Sequence, residues 1–198
     1  MKSFSDSVTE YKKQLDIGNI QIAYRGLLEY MMGLRNFFKN KYPDFSVPSS
    51  FYQGYMDMTY FALFPEDLKR KKLKIAIVLI HDKMKLEIWL SGINKQIQTK
   101  YWNILKSKDL NIYQLPKTLK GADSIIEFVL TDNPDFNDTE ALTRQIESGT
   151  LKFIKDIREI IKDTWSFMTE LNKTVYNTDG MFNKIGRAHV WTPVTEYD

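Results

Sequence analysis

Two neighbouring stretches of the chain decide its fold. Leu73–Ile80 reads Leu-Lys-Ile-Ala-Ile-Val-Leu-Ile, and Met84–Leu90 reads Met-Lys-Leu-Glu-Ile-Trp-Leu, with only His81-Asp82-Lys83 between them. A short aliphatic run of this kind is typical of a strand in the centre of a sheet, and a few polar residues suffice for a tight turn. The pattern therefore predicts a β-hairpin whose first strand is central and covered on both faces.

Two further strands and several helices surround this hairpin. Gly54–Phe64 is rich in Tyr, Phe and Met, and Ser124–Leu130 is another apolar run of strand length. Apolar residues that recur every three or four positions elsewhere in the chain predict helices. These helices are expected from Ser5 or Asp6 to Asp16, over Ile20–Lys39, over Ile93–Lys106, from Asn137 to Glu147, and over Thr150–Asn172.

The predicted fold class is α+β, with the element order α-α-β-β-β-α-β-α-α. This order describes a small, mostly antiparallel four-stranded sheet, packed by the N-terminal helices, by one helix after the third strand and by a long C-terminal helix. Gly149 is expected to separate the last two helices, because glycine is unfavourable inside a helix. Residues 1–183 are expected to form a single domain.

The composition is that of a globular protein. Of the 198 residues, 43% are hydrophobic and 27% charged, the formal net charge is +3, and there is no cysteine. The chain therefore has no disulfides and no thiolate chemistry, which fits a reducing cytosol. The first residues do not resemble a signal peptide, and the longest aliphatic run, Ile75–Ile80, is too short to cross a bilayer. We expect a cytoplasmic protein without a membrane span.

Basic and aromatic residues raise the question of nucleic acid. Lys69-Arg70-Lys71-Lys72 is the one dense basic cluster, and we interpret it as a solvated turn between strands, with a nucleic-acid or membrane surface as the alternative. Aromatic side chains interleaved with lysine can stack on single-stranded bases, although core packing is their default role. Nucleic acid thus stays open as a partner but is not indicated. The aromatic residues concerned are Phe51, Tyr52, Tyr55, Tyr60, Phe61, Phe64, Trp89, Tyr101 and Trp102.

The C-terminal segment is set apart from the fold. Ile185–Thr195 resembles a common sequencing adapter translated in frame, with a stop codon read as Trp191. Residues 184–198 are therefore expected to be a non-native, adapter-derived tail, and they are excluded from the reasoning about fold and function. The alternative is a natural disordered tail.

Three stretches resemble an uncharacterised bacterial family, one of the domains of unknown function. They are Ala23–Met32 (Ala-Tyr-Arg-Gly-Leu-Leu-Glu-Tyr-Met-Met), Gly54–Phe61 (Gly-Tyr-Met-Asp-Met-Thr-Tyr-Phe) and Leu86–Gln96 (Leu-Glu-Ile-Trp-Leu-Ser-Gly-Ile-Asn-Lys-Gln). The resemblance covers about residues 1–172. It implies the fold of that family and a bacterial source, and it implies no activity.

The predicted element order is also similar to that of the restriction-endonuclease-like core. That fold places an acidic residue on one strand and Glu-x-Lys on the next, where they bind Mg²⁺ and activate water. Here the third predicted strand carries Glu87-Ile88-Trp89, with Trp89 at the position of the lysine, and Asp57 lies on the first predicted strand. The analogy suggests Asp57 and Glu87 as ligands of Mg²⁺ or Mn²⁺, but the departure at Trp89 weakens it.

The same acidic residues have a structural interpretation. Lys85, Glu87 and Trp89 alternate onto one face of a strand, so Glu87 can instead pair with Lys85, Lys95 or Arg25 at a sheet edge. In the metal-site hypothesis, Lys85 or Lys95 would stabilise negative charge. We favour the structural interpretation, because ion pairs that only stabilise the fold occupy such positions as well.

Two weaker candidates complete the set. His81 lies at the predicted hairpin turn beside Asp82, where a structural turn residue is favoured over a catalytic base. The helix that follows the third strand begins with polar residues, and its backbone N–H groups could hold an anion with Lys95 adding charge. Polar positions on the surface of an amphipathic helix explain these residues equally well. They are Asn94, Lys95, Gln98 and Lys100.

No complete catalytic set is recognised, and no cofactor is evident. The leading hypothesis is a non-enzymatic binding or interaction domain with an unknown partner. The alternative is a divergent metal-dependent enzyme with a restriction-endonuclease-like core. A third hypothesis is a structural homodimer in which the long final helix pairs with its copy.

Overall fold

The computed structural model describes residues 3–108, 110 and 112–178, with side chains up to residue 162. The chain divides into two units, Met1–Arg158 and Glu159–Asp198, and the sheet and the site described below lie in the first. The expected adapter-derived tail, residues 184–198, lies outside the described residues. The elements are α1 (Phe4–Ile17), α2 (Asn19–Lys41), β1 (Phe45–Ser46), β2 (Tyr52–Gln53), β3 (Met58–Pro65), α3 (Glu66–Arg70), β4 (Leu73–Ile80), β5 (Lys85–Gly92), α4 (Lys95–Leu105), β6 (Ile126–Thr131) and α5 (Thr139–Thr178).

The fold class is α+β, as the sequence predicts. The hairpin of β4 and β5 is confirmed, and β4 is central, since it pairs with β3 on one side and β5 on the other. All pairings are antiparallel, in the order β1-β3-β4-β5-β6. The four predicted strands are β3 to β6, and the two-residue strands β1 and β2 add to the outer edge of β3.

One face of the sheet carries the hydrophobic core. Strand alternation points every second side chain of β3, β4 and β5 to this face, where α2 packs through Phe38, whose ring lies 6.3 Å from that of Phe61. Each such side chain stabilises the fold by about 1.5–3 kcal/mol through its burial. The fully buried residues of the face include Phe61, Leu63, Ile75, Ile77, Leu79, Leu86, Ile88 and Leu90.

The other side of β3, β4 and β5 is only partly covered, and we call it the open face. Lys74 and Ile80 of β4 are half-exposed there, so the expectation that this strand is covered on both faces is wrong at these positions. Ala76 and Val78 are buried, with Trp89 beside Ala76 on β5 and Tyr60 beside Val78 on β3. The open face is where the sheet can meet a ligand.

Several predicted boundaries differ from the structure. The first predicted strand begins at Met58 rather than Gly54, and an unpredicted short helix, α3, connects β3 to β4. The predicted break at Gly149 is wrong, since α5 continues through it. The break at Gly18 is confirmed, because this residue has a φ of 84°, a left-handed conformation that favours glycine. Within the described residues, no helix combines the length and apolar character that crossing a membrane requires.

Candidate ligand-binding site

A pocket of about 400 Å³ lies on the open face, beside β3, β4 and β5. The N-terminal end of α4 and the loop before β6 form the rest of its wall. We call it the open-face pocket. Its chemistry comes from six lining residues: Tyr52, Tyr60, Lys74, Trp89, Lys95 and Asp123.

The pocket exists because small side chains lie at the centre of the open face. Ala76 is paired with Ala62 on β3 and with Trp89 on β5, so two methyl groups lie side by side. Residues that face each other on paired strands have Cβ atoms about 5 Å apart, so large side chains there would fill the space between them. Ala76 instead lines a depression, which Tyr60 and Trp89 border.

Two stacked tyrosines form one wall. Tyr52 pairs with Tyr60 in the sheet, and their rings stack with centroids 5.0 Å apart and planes inclined by 22°. Tyr52 is 41% exposed, so its ring remains available to a ligand. Lys74 places its Nζ 5.9 Å from the centre of the Tyr60 ring, within range of a cation–π interaction. Among the described residues, no carboxylate forms an ion pair with Lys74.

The opposite wall is the loop that carries Asp123, and buried polar groups hold it in place. Ser91 Oγ donates to the Asp123 carbonyl at 2.8 Å. Gln98, only 3% exposed, donates from Nε2 to the carbonyls that precede and follow Asp123, at 3.0 and 3.2 Å. Lys95 Nζ donates to the Ala122 carbonyl at 2.7 Å and lies 3.6 Å from the Asp123 carboxylate. The wall is therefore preformed.

A glycine allows α4 to begin directly at the end of β5. A Cβ on Gly92 would lie 2.6 Å from the backbone nitrogen of Gln98, closer than non-bonded atoms approach. Asn94 then caps the helix, and its Oδ1 accepts a hydrogen bond from the Ile97 N–H at 2.9 Å. One of the N–H groups that the sequence offered to an anion is thus already satisfied by the protein.

The charges around the pocket are mixed. Burial raises the pKa of the Tyr60 hydroxyl, and the negative charge of Asp123 and the neighbouring Tyr52 raise it further. Tyr60 therefore stays neutral and can both donate and accept a hydrogen bond at neutral pH. Together with the Lys74 ammonium and the Lys95–Asp123 pair, it can bind a planar ring that carries an anionic substituent.

Glu87 lies on the open face, next to the pocket, and its carboxylate is held by its own strand. One oxygen forms an ion pair with Lys85, and the other accepts a hydrogen bond from Trp89 Nε1 at 2.7 Å. Glu87 is 6% exposed, so both contacts are shielded from water. The structure thus brings Glu87 together with Lys85 and Trp89, whereas Lys95 pairs with Asp123 instead.

Asp57 is not brought near Glu87. Asp57 precedes β3, is exposed, and accepts a hydrogen bond from the Met58 N–H through Oδ1 at 2.8 Å. Glu87 is paired with Val78, and β4 separates it from β3. The two residues are about 10 Å apart across the strands and about 10 Å apart along them. This separation is larger than one Mg²⁺ or Mn²⁺ ion spans with ligand oxygens at about 2–2.6 Å, so the geometry does not favour the shared metal site that was the alternative hypothesis. Among the described residues, no three His, Asp or Glu side chains converge on a point where a metal could bind.

The comparisons with known proteins agree with the resemblance seen in the sequence. Residues 4–161 match the family model "Domain of unknown function (DUF7000)". The chain belongs to this family. No curated protein and no solved structure shows significant similarity to it. Membership in DUF7000 assigns no activity to the chain.

His81 in this DUF7000 chain has a structural environment outside the open-face pocket. Its Nε2 lies 2.9 Å from Oγ1 of the buried Thr59, and its ring lies 5.7 Å from that of Tyr24. Burial lowers the pKa of His81, and the Asp57 carboxylate partly opposes this effect. The neutral imidazole bonded to a strand hydroxyl stabilises the hairpin turn.

Sequence reasoning missed several residues of the pocket. Lys74, Ser91 and Asp123 were not singled out, although Lys74 and Ala76 interrupt the aliphatic run of β4 at alternate positions. A polar and a small residue on the same side of a buried strand indicate that this side is not fully covered. That signal could have located the open face. The contribution of Asp123 could not be foreseen, since it depends on where a long loop returns to the sheet.

Proposed function

We propose that the protein is a non-enzymatic binding domain whose ligand site is the open-face pocket. The observation that supports this most is a preformed cavity with stacked aromatic rings and a lysine, Lys74, that has no carboxylate partner among the described residues. A volume of about 400 Å³ lies within the range of small-molecule sites, which are largely apolar with a few convergent polar groups.

The lining favours a ligand with a planar ring and an anionic group. The ring would lie against Tyr60 and Trp89, where stacking adds to the gain from burying apolar surface. The anionic group would face Lys74, because an ammonium without a carboxylate partner gains a charge-assisted hydrogen bond on binding. The Lys95–Asp123 pair would then select for polar substituents at the other side of the ring.

The serine and the acid of the pocket are both held by other protein groups. Its serine, Ser91, is 2% exposed and donates to a backbone carbonyl, so no base activates it as a nucleophile. Its acid, Asp123, is paired with Lys95. These contacts favour binding over catalysis. A bacterial source and a cytoplasmic location, which the cysteine-free chain fits, belong to the same proposal.

The proposal is tested by titrating the full chain with matched pairs of small aromatic compounds and following the backbone amides by NMR. The pairs are a nucleoside monophosphate with its uncharged nucleoside, and indole-3-acetate with indole-3-acetamide. The anionic member of each pair is expected to bind more tightly and to shift the amides of Ser91, Gly92 and Asp123.

A charge-matched control variant distinguishes binding at the pocket from non-specific electrostatic attraction to the protein. Lys74→Gln is expected to weaken binding of the anions about tenfold and to remove the preference over the neutral compounds. Lys13→Gln, which removes the same charge from the exposed surface of α1, is expected to have no effect. Equal effects of the two variants, or the absence of saturable shifts at the pocket, would contradict the proposal.

A further inference from the structure

The open-face pocket is continuous with the basic cluster of the chain. The turn Lys69-Arg70-Lys71-Lys72, here called the basic turn, runs from the end of α3 to the residue before β4. The carbonyl of Lys72 accepts a hydrogen bond from the N–H of Ile93, which lines the pocket, at 3.0 Å. This bond connects the basic turn to the rim of the pocket.

The backbone at this junction keeps the basic side chains on the surface. Lys72 has a φ of 59°, a left-handed conformation that is unusual for lysine and turns the chain sharply into β4. Lys69, Arg70 and Lys72 are exposed. Two residues further on, Lys74 lies in the pocket itself, so positive charge extends from the turn into the cavity.

Two nearby acids, Asp67 and Asp123, are paired with cations outside the basic turn. The Asp67 carboxylate accepts hydrogen bonds from Nε and Nη2 of Arg158, at 2.9 and 2.8 Å, and Glu66 is an exposed residue at the start of α3. Asp123 is paired with Lys95 on the far side of the pocket. The surface therefore combines a row of cations with a cavity lined by aromatic rings.

From this arrangement we infer that the ligand is single-stranded nucleic acid, an inference that rests on the proposed function of the pocket. One base stacks in the pocket against Tyr60 and Trp89, and its phosphate faces Lys74. The phosphates of the neighbouring nucleotides lie along the basic turn. Basic grooves with aromatic stacking residues are the usual means by which proteins bind single strands.

The geometry also discriminates between kinds of nucleic acid. In a duplex the bases are stacked and paired, so they cannot enter a pocket on a sheet surface without being extruded. A duplex can reach only the basic turn. Single strands are therefore expected to bind more tightly than duplexes of the same sequence, and oligonucleotides more tightly than a mononucleotide.

Fluorescence anisotropy with the full chain tests this inference. The probes are labelled single-stranded DNA and RNA oligonucleotides of roughly ten nucleotides, a length suited to one binding domain, with the matching duplexes and a nucleoside monophosphate as competitors. With about three phosphate contacts, the affinity for single strands is expected to fall with a log–log salt slope of about −2.

Variants distinguish the two parts of the surface. The triple variant Lys69→Gln, Arg70→Gln, Lys72→Gln is expected to weaken oligonucleotide binding at least about tenfold and to flatten the salt slope, while binding of the mononucleotide is unchanged. Tyr52→Ala removes the ring that stacks on Tyr60 in the pocket wall, so it is expected to weaken binding of both the oligonucleotide and the mononucleotide. The control triple variant Lys13→Gln, Lys39→Gln, Lys83→Gln removes the same charge from other exposed positions and is expected to change neither.

Four outcomes would overturn the inference. If the mononucleotide binds as tightly as the oligonucleotide, the proposed binding function remains supported, but the inference that the ligand is single-stranded nucleic acid is wrong. If the control triple variant weakens oligonucleotide binding as much as the triple variant of the basic turn, the binding depends on the net charge of the protein and not on the basic turn. Binding to phosphatidylserine vesicles that needs the basic turn but not Tyr52, with no preference for single strands, would assign the surface to membranes. If neither nucleotide nor strand shifts the amides of the pocket, both proposals fail.

Discussion

Leu130 Cδ2 lies 2.6 Å from the point that a Cβ on Gly149 would occupy. The absence of a side chain at Gly149 therefore lets α5 pass directly over the end of β6. A glycine that the sequence marks as a helix break is instead a contact point inside a continuous helix. Its backbone costs about 1 kcal/mol relative to alanine, which the rest of the long helix and its buried face offset.

This contact predicts unequal effects of the same substitution at two helical glycines. Gly33→Ala is expected to raise the free energy of unfolding by about 0.5–1 kcal/mol, because nothing lies within 4 Å of its Cβ position. Gly149→Ala is expected to raise it by less than this, because the methyl group of the partly exposed Leu130 must move to make room, which offsets part of the gain in helix propensity. Urea denaturation of both variants measures this, and equal stabilisation would show that Leu130 moves aside freely.

Glu87 is expected to stabilise the fold rather than bind a metal. Glu87→Ala leaves Lys85 and the Trp89 N–H without their shielded partner, which should lower the free energy of unfolding by about 2 kcal/mol. Glu87→Gln keeps an acceptor for the Trp89 N–H, so it should lower the free energy of unfolding by less than Glu87→Ala does. The exposed Glu66→Ala is the control. Thermal denaturation with and without Mn²⁺ checks both points. The structural role would be contradicted if Glu87→Ala lowered stability no more than Glu66→Ala, or if it lowered stability only when Mn²⁺ is present.

His81 predicts a pH dependence of stability. Burial lowers its pKa in the folded protein below the ordinary value of 6.5, so the unfolded chain takes up the proton first as the pH falls. Stability is therefore expected to decrease as the pH falls from neutrality through 6.5 to the lower folded pKa, and to show no further loss from this group below it. The free energy of unfolding, measured by chemical denaturation between neutral and mildly acidic pH, should depend less on pH in His81→Gln than in the unchanged protein. If the two proteins show the same pH dependence of the free energy of unfolding, that dependence arises from groups other than His81.

The Asp67–Arg158 pair connects α3 to α5 across the fold. Both residues are partly exposed, so the coupling energy between them is expected to be modest, about 0.5–1 kcal/mol. The hydrogen bond to Arg158 lowers the pKa of Asp67, so this contribution is present above the ordinary pKa of 3.8 and is lost as the pH falls through the folded value. A double-mutant cycle with Asp67→Asn and Arg158→Met measures it. A coupling near zero at neutral pH would show that water already screens the pair.

Local patterns account for what could be predicted. The alternation and aliphatic content of Leu73–Ile80, with a polar turn after it, suffice to identify the β4–β5 hairpin, because side-chain direction in a strand repeats every two residues. The break at Gly18 follows from a conformation that only glycine adopts readily. At Gly149 the same local rule fails, since a tertiary contact with Leu130 decides the outcome.

The sequence by itself determined the α+β class, the central hairpin and the family to which the chain belongs, because each depends on residues close together in the chain. Only the tertiary structure decided the site. Strand register places Ala76 between Ala62 and Trp89. Hydrogen bonds from the buried Ser91 and Gln98 hold the loop that carries Asp123 against the sheet. Register and loop closure depend on which residues meet across the fold. For this reason the open-face pocket could not be found from spacing alone.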